Sequence, residues 1–347
     1  MAERENFKSR LGFILIAAGC AIGLGNVWRF PFITGQYGGA AFVLIYLFFL
    51  LIFGFPILVM EFAVGRASRR GVGCSFNALE KPGLKWHYAG IPMIVGNYLL
   101  MMFYTTVTGW MLYYFYRMVT VGDLMTMTPA EVGEEFGKML GNGPLLSFWM
   151  VVATFAGLSI VALGLQRGVE RVTKMMMSAL LIIMFILMIR VLTLPGAGEG
   201  LKFYLLPDFA KLKEAGIGEV VFAALGQSFF TLSIGIGSMS IFGSYIDKKH
   251  SLLTEAAHIC VLDTGVALIA GLIIIPACFA FGLEPNAGPG LIFATLPNVF
   301  AQMPAGRIWV RRSSSSCLLR LFRRLWPCSK TLSLIGWMLA MWNARRR

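Results

Sequence analysis

The chain has 347 residues, 57% of them hydrophobic and 14% charged, with a mean hydropathy of +0.74. That balance places it among integral membrane proteins and away from the soluble globular and disordered classes. The net charge of +13 resembles a nucleic-acid signal, but nine of the cations fall in residues 310–347, which hold no Asp or Glu, so no nucleic-acid partner is expected.

Met1-Ala2-Glu3-Arg4-Glu5 leads into the first apolar segment without the pattern of a removable signal peptide, so that segment is expected to stay in the membrane. Leu11 to Ala18 can begin a membrane helix, but Gly19, Gly23 and Gly25 then arrive within seven positions, with Asn26 and Arg29 just beyond. Glycine favours unwound backbone, which hydrocarbon tolerates only where protein or a polar cavity covers it. Carbonyls freed by such a break can bind a cation, and amides at the start of the next half-helix can bind an anion. The pattern predicts a site for a small zwitterion and a metal ion. Close helix packing is the other reading of the glycines. Asn26 and Arg29 favour the site, because polar residues inside a membrane are costly.

Seven spans are expected in order, at about 11–34, 39–64, 88–118, 145–165, 171–193, 218–245 and 256–282. The third is long enough to tilt strongly or to project beyond the hydrocarbon. Residues 66–87 carry Arg66, Arg69, Arg70, Lys81 and Lys85 against Glu80. The link before the fifth span has Arg167, Arg171 and Lys174 against Glu170, and that after the sixth has Lys248 and Lys249 against Asp247. These loops alternate with an acidic segment, 119–143, carrying Asp123, Glu131, Glu134 and Glu135 against Lys138. The positive-inside rule then puts the N-terminus in the cytoplasm.

The sixth span repeats the opening pattern: Gln227-Ser228-Phe229-Phe230-Thr231-Leu232-Ser233-Ile234-Gly235-Ile236-Gly237-Ser238 sets glycines and hydroxyls inside an apolar run. Two interrupted helices, the first of a set of five and the first after it, point to inverted repeats with a site between them. A hydroxyl-rich packing face is the competing reading. The six cysteines, Cys20, Cys74, Cys260, Cys278, Cys317 and Cys328, form no CxxC, and His87, His250 and His258 carry no motif. Neither a metal cluster nor a disulfide framework is expected.

Several motifs together resemble the neurotransmitter:sodium symporter family, in particular its bacterial sodium-dependent amino-acid transporters. They are Arg10-Leu11-Gly12, the run Gly23-Leu24-Gly25-Asn26-Val27-Trp28-Arg29-Phe30-Pro31, Gly38-Gly39-Ala40-Ala41-Phe42, Glu61-Phe62-Ala63-Val64-Gly65-Arg66, and Gln227 to Gly237. The resemblance runs from about residue 4 to Trp309, making 1–309 the transporter domain. It implies an all-α integral membrane protein with the inverted-repeat transporter fold and broken helices 1 and 6, multi-pass in the bacterial inner membrane. The implied activity is sodium-coupled symport of an amino acid or related small zwitterion by alternating access. Sodium ions are then the coupling ions, no organic cofactor or enzymatic chemistry is implied, and homo-oligomerisation is left open.

Carried over by position, the resemblance assigns the first sodium site to the Ala21 carbonyl, the Asn26 side chain, the Thr231 carbonyl and hydroxyl, and Asp263. Gly19 and Ile22 would offer carbonyls to a second sodium. The substrate carboxylate would lie against amides around Gly23, Leu24 and Gly25, beside the Tyr104 hydroxyl, with the amine at carbonyls near Ala21 and Phe230. Leu100, Phe230, Thr231, Ser233 and Ile236 would bound the substrate, and Arg29 with Gln227 would form the outer gate. By residue type alone Leu100 and Phe230 read as plain core, Tyr104 as bonded to a neighbouring carbonyl and Arg29 as snorkelling to the interface. Glu61 reads as a structural partner. Chloride-dependent members resemble one another in an Asn at position 263 and a Ser one turn later, whereas this chain has Asp263 and Ala267. A fixed carboxylate beside the cation predicts chloride independence; proton countertransport through Asp263 is the competing reading.

Beyond Trp309 the sequence departs from the family, with Ser313 to Ser316 amid arginines and a terminal Arg345-Arg346-Arg347. So many cations are incompatible with an eighth span. The tail 310–347 is expected to be out of frame, leaving the second repeat incomplete and the second sodium site without the hydroxyls of helix eight. A non-transporting fragment lacking helices 8–12 is therefore the alternative function.

Overall fold

The computed structural model describes residues 10–120, 127–162, 171–247, 249–283 and Phe293, which form helices and no strands. The expectations for the leader residues 1–9, for Asp123, Arg167, Glu170 and Lys248, and for the tail 310–347 lie outside the described residues. The elements are α1 (Arg10–Ala21), α2 (Gly25–Gln36), α3 (Ala40–Ser68), α4 (Val72–Leu79), α5 (Gly90–Thr120, entered through a 3-10 turn at Trp86–Ala89), α6 (Pro129–Leu140) and α7 (Gly143–Ala162). They continue as α8 (Arg171–Leu192), α9 (Ala197–Leu205), α10 (Phe209–Glu214), α11 (Ile217–Thr231), α12 (Ser238–Gly243) and α13 (Leu252–Ala280).

Five of these helices are long and apolar enough to cross a membrane, and six if the pair α1 and α2, bent by 50°, is one span. The sixth expected span fails that length test because its own break divides it into pieces of 15 and 6 residues. The local causes are visible in the sequence. Gly38 and Gly39 take positive φ (87° and 64°) and turn the chain into α3. A methyl group at Gly39 would also overlap the Phe203 carbonyl, so only glycine fits. α3 contains a π-turn at Leu50–Gly54 and ends on Arg69 in the left-handed region (φ 52°). α6 starts on a capping box between Thr128 and Glu131.

The core gathers around α13, whose most apolar stretch is 61% buried, against 11–28% for the other four long helices. It touches α1, α2, α3, α8 and α9, while α5 pairs with α7 and α12 lies along the far end of α3. That last contact is backbone on backbone, since a methyl group on Gly65 would overlap the Ser240 carbonyl and one on Gly243 would meet Phe62. Burying α13 centrally places Asp263, at its midpoint, against both interrupted spans.

Candidate functional site

The first interruption is short. α1 ends at Ala21, the chain bends over Ile22 and Gly23, and it re-enters helix as a π-turn at Gly25–Arg29 rather than as a longer unwound stretch. The Gly23 amide donates to Oδ1 of Asn26 at 3.0 Å, and the Gly23 carbonyl accepts from Asn26 and Val27, both at 3.0 Å. The Leu24 and Gly25 amides lie at the start of that turn, where a new helix has no internal acceptors to offer. Pro31 sits near the start of the following α-helical part, where its missing N–H does little harm.

The second interruption is longer. Between Thr231 and Ser238 the chain leaves the helix, with Ser233, Gly235 and Gly237 at positive φ (54°, 88° and 69°). Its polar groups are met from other helices. One oxygen of Glu61 on α3 accepts from the amides of Gly235 (2.7 Å) and Gly237 (3.2 Å), and the other from Met239 (3.1 Å). Nδ2 of Asn97 on α5 donates to the Ile236 carbonyl and to its own Met93 carbonyl, each at 2.7 Å. The Ser238 hydroxyl donates to the Ser233 carbonyl.

Between the breaks lies a fully buried polar group of three. Nδ2 of Asn26 donates to Oδ1 of Asp263 at 2.8 Å, to the Asp263 carbonyl at 3.0 Å and to the Thr231 hydroxyl at 3.1 Å. The Thr231 hydroxyl donates to Oδ2 of Asp263 at 2.7 Å. Asn26, Thr231 and Asp263 are each 0% exposed. A carboxylate so enclosed is expensive to keep charged unless donors or a cation face it. Among the described residues no three His, Cys, Asp or Glu side chains gather to hold a metal. This donor set, one carboxylate with amide, hydroxyl and backbone oxygens, suits a hard monovalent cation instead of a transition metal.

The other predicted residues fall around that group. Nη1 of Arg29 donates to Oε1 of Gln227 at 2.9 Å, and Nε2 of Gln227 donates to the Gly25 carbonyl at 2.9 Å. The Arg29 guanidinium also lies over the Phe230 ring, 5.0 Å from its centre. Leu24, Tyr104 and Val107 form one apolar cluster with Leu100 and Phe230 against it, and the Tyr104 and Phe230 rings are 6.4 Å apart. Gly25 must be glycine here, because a Cβ would come within 2.8 Å of the Phe230 ring. Ile236 faces Gly96, one helical turn from Leu100. The Ser233 amide donates to the Phe230 carbonyl at 3.2 Å, and the Ser233 carbonyl accepts from the Ser238 hydroxyl. Ala21 and Ile22 are buried at the first bend, and Gly19 packs on Thr173 and Met177 of α8. Close packing thus constrains both Gly19 and Gly25 to glycine.

Two residues escaped sequence reasoning. Asn97 clamps the second break, and its only signal was an amide in the apolar run of the third span. Tyr46 on α3 is fully buried, and its hydroxyl finds no hydrogen-bond partner among the described residues. An isolated tyrosine in an apolar helix gives no sign of that burial.

The family model described as the sodium:neurotransmitter symporter family matches residues 4–126 and 135–312. An uncharacterized sodium-dependent transporter of Bacillus subtilis, YhdH, is 38% identical over 311 residues, covering 89% of this chain and 68% of that protein. The sodium-dependent serotonin transporter of Drosophila melanogaster is 29% identical over 352 residues, covering 88% of this chain and 55% of its own length. The crystal structure of MhsT in complex with L-phenylalanine superposes with a TM-score of 0.85 at 40% identity, covering 96% of this chain and 73% of MhsT.

Proposed function

The chain belongs to the sodium:neurotransmitter symporter family, and on that premise we propose that it carries the first sodium site and the substrate contacts of a sodium-coupled amino-acid symporter. The observation that carries this reading is the buried group of Asn26, Thr231 and Asp263, held between two helix breaks. Sodium, as co-transported cargo, would sit among the Asp263 carboxylate, the Asn26 and Thr231 oxygens and the Ala21 carbonyl. For this the Asn26 amide turns its oxygen towards the ion. The substrate carboxylate would lie on the Leu24 and Gly25 amides near that cation and the Tyr104 hydroxyl, so that each charge favours binding of the other. Leu100, Phe230 and Ile236 offer an apolar wall, which suits an apolar side chain; L-phenylalanine in the related MhsT supports this class. Arg29 and Gln227 would close the outer side, in alternating access across a bacterial inner membrane with the N-terminus in the cytoplasm. Asp263 supplies fixed charge in place of a bound anion, so transport would not need chloride.

A second reading is binding without a transport cycle. The chain spans 68% of the length of the Bacillus relative and 55% of that of the serotonin transporter. The described residues also offer the second sodium site only the Gly19 and Ile22 carbonyls. One experiment separates the two readings: equilibrium binding of labelled L-phenylalanine with and without sodium, beside sodium-driven uptake into proteoliposomes. Binding and uptake together support symport. Sodium-dependent binding without uptake supports the second reading, and no sodium-dependent binding overturns both.

A further inference from the structure

We propose that the turn joining α4 to α5, residues 79–88, is a docking surface for anionic phospholipid headgroups. Leu79, Leu84, Trp86 and Tyr88 are 43%, 49%, 61% and 57% exposed, and Lys81 and Lys85 stand among them, also exposed. The one acid of the stretch is occupied internally: Glu80 accepts the His87 amide at 3.0 Å and lies 2.8 Å from Nδ1 of the same histidine. Among the described residues no ion pair involves Lys81 or Lys85. Gly83 turns the chain at φ 90°, and a Cβ there would meet nothing within 4 Å, so no described residue packs on the turn at that point.

Position decides the partner. The membrane-crossing helix begins at Trp86, which sets the aromatic rings at the depth where amphipathic side chains concentrate and puts the lysines among the headgroups. Basic residues at that depth attract anionic lipid. Four exposed apolar side chains around two unneutralised cations fit a lipid, with tails beside its phosphate, better than a free anion.

The surface also bears on the second helix break. Val72 and Phe76 of α4 pack on Ile241 of α12 and on Tyr245, and a methyl group at Gly237 would run into Val72. A lipid-held turn therefore steadies the helix that props the unwound stretch. The inference requires only that α5 crosses a bilayer; it stands or falls apart from the transport reading.

The test uses the whole chain in detergent, equilibrated with vesicles of equal phosphatidylglycerol and phosphatidylcholine and then re-purified, with co-purifying lipid quantified. Phosphatidylglycerol should be enriched at least threefold over phosphatidylcholine. K81Q/K85Q should lower that enrichment at least threefold, while K202Q/K213Q, exposed lysines elsewhere, leaves it unchanged. Brominated phosphatidylglycerol should also quench tryptophan fluorescence, and W86F should remove part of that quenching. The proposal is overturned by no enrichment, by unchanged enrichment in K81Q/K85Q, by an equal loss in K202Q/K213Q, or by displacement of the lipid with inorganic phosphate at constant ionic strength.

Discussion

The two interrupted spans solve the same problem in opposite ways. At the first, a bend of two residues is closed from within: Asn26 caps the Gly23 amide three residues back, and a π-turn restores the ladder at once. At the second, a stretch of six residues with three positive φ angles leaves more polar backbone than its own side chains can reach. There Glu61 and Asn97 supply the partners from 174 and 139 residues away. A short break caps itself, whereas a long one makes its helix depend on its neighbours. The backbone of the first break should therefore tolerate loss of Glu61 or Asn97, and that of the second should not.

The largest effect is expected from Glu61→Ala, which removes the acceptor of three amides at once. At roughly 1.5 kcal/mol for each hydrogen bond to a charged group, and with the Gly235 amide exposed enough to turn to water, the loss should be about 3 kcal/mol in thermal unfolding of the solubilised protein. A variant as stable as the parent would show that water replaces the carboxylate and that the second break does not depend on α3. Next is Gly65→Ala, which drives a methyl group into the Ser240 carbonyl. Because backbone must yield, a cost of about 2–3 kcal/mol is expected. The same substitution at Gly133 on α6, where nothing lies within 4 Å, should be neutral or slightly stabilising.

Asp263→Asn joins the comparison where both breaks meet. It should weaken sodium binding at least about tenfold, equivalent to about 1.4 kcal/mol, with chloride then restoring part of the affinity. Sodium titration of substrate binding in chloride and in gluconate measures both effects, and a variant indifferent to the anion would remove the charge-replacement account. Asn97→Leu should cost less, about 1 kcal/mol, and should quicken amide exchange at 234–239 while leaving 22–27 unchanged. Equal changes at both breaks would erase the distinction between them.

The smallest effect lies outside the membrane, on α6. Hydrogen bonds from the Thr128 backbone and hydroxyl hold the Glu131 carboxyl below its usual range, and Lys138 and Arg117 do the same for Glu135. A carboxyl whose pKa is lower in the folded state stabilises at pH above the unfolded value of 4.5, and that stabilisation fades as pH falls below it. A spin label at Gly137, an open position, should gain mobility on acidification below that value and show no change from pH 6 to 8.

Much of this arrangement is legible in residue order. The apolar runs mark the long helices to within a few residues, and the glycines at 19, 23 and 25 and at 235 and 237 mark both interruptions, because chain entropy and steric freedom are local properties. The pairing of Asn26 with Thr231 and Asp263 came only through resemblance to a family, since no periodicity links positions 205 and 237 residues apart. By length alone five or six of the seven expected spans pass among the described residues, because the sequence pattern shows that the sixth is broken without showing how short its second piece is.

Sequence by itself determined that this chain belongs in a membrane, where it breaks, and which polar side chains enter the apolar interior. Hydropathy and backbone freedom act over a few residues and can be read from them. Only the tertiary structure decided which polar group answers which. In a bilayer an exposed amide finds no water, so each must be satisfied by whatever helix packing brings within about 3 Å. That choice of Glu61 for the Gly235 amide, and of Asp263 for Asn26, belongs to the packing of α3 and α13 and is written in no local stretch of the chain.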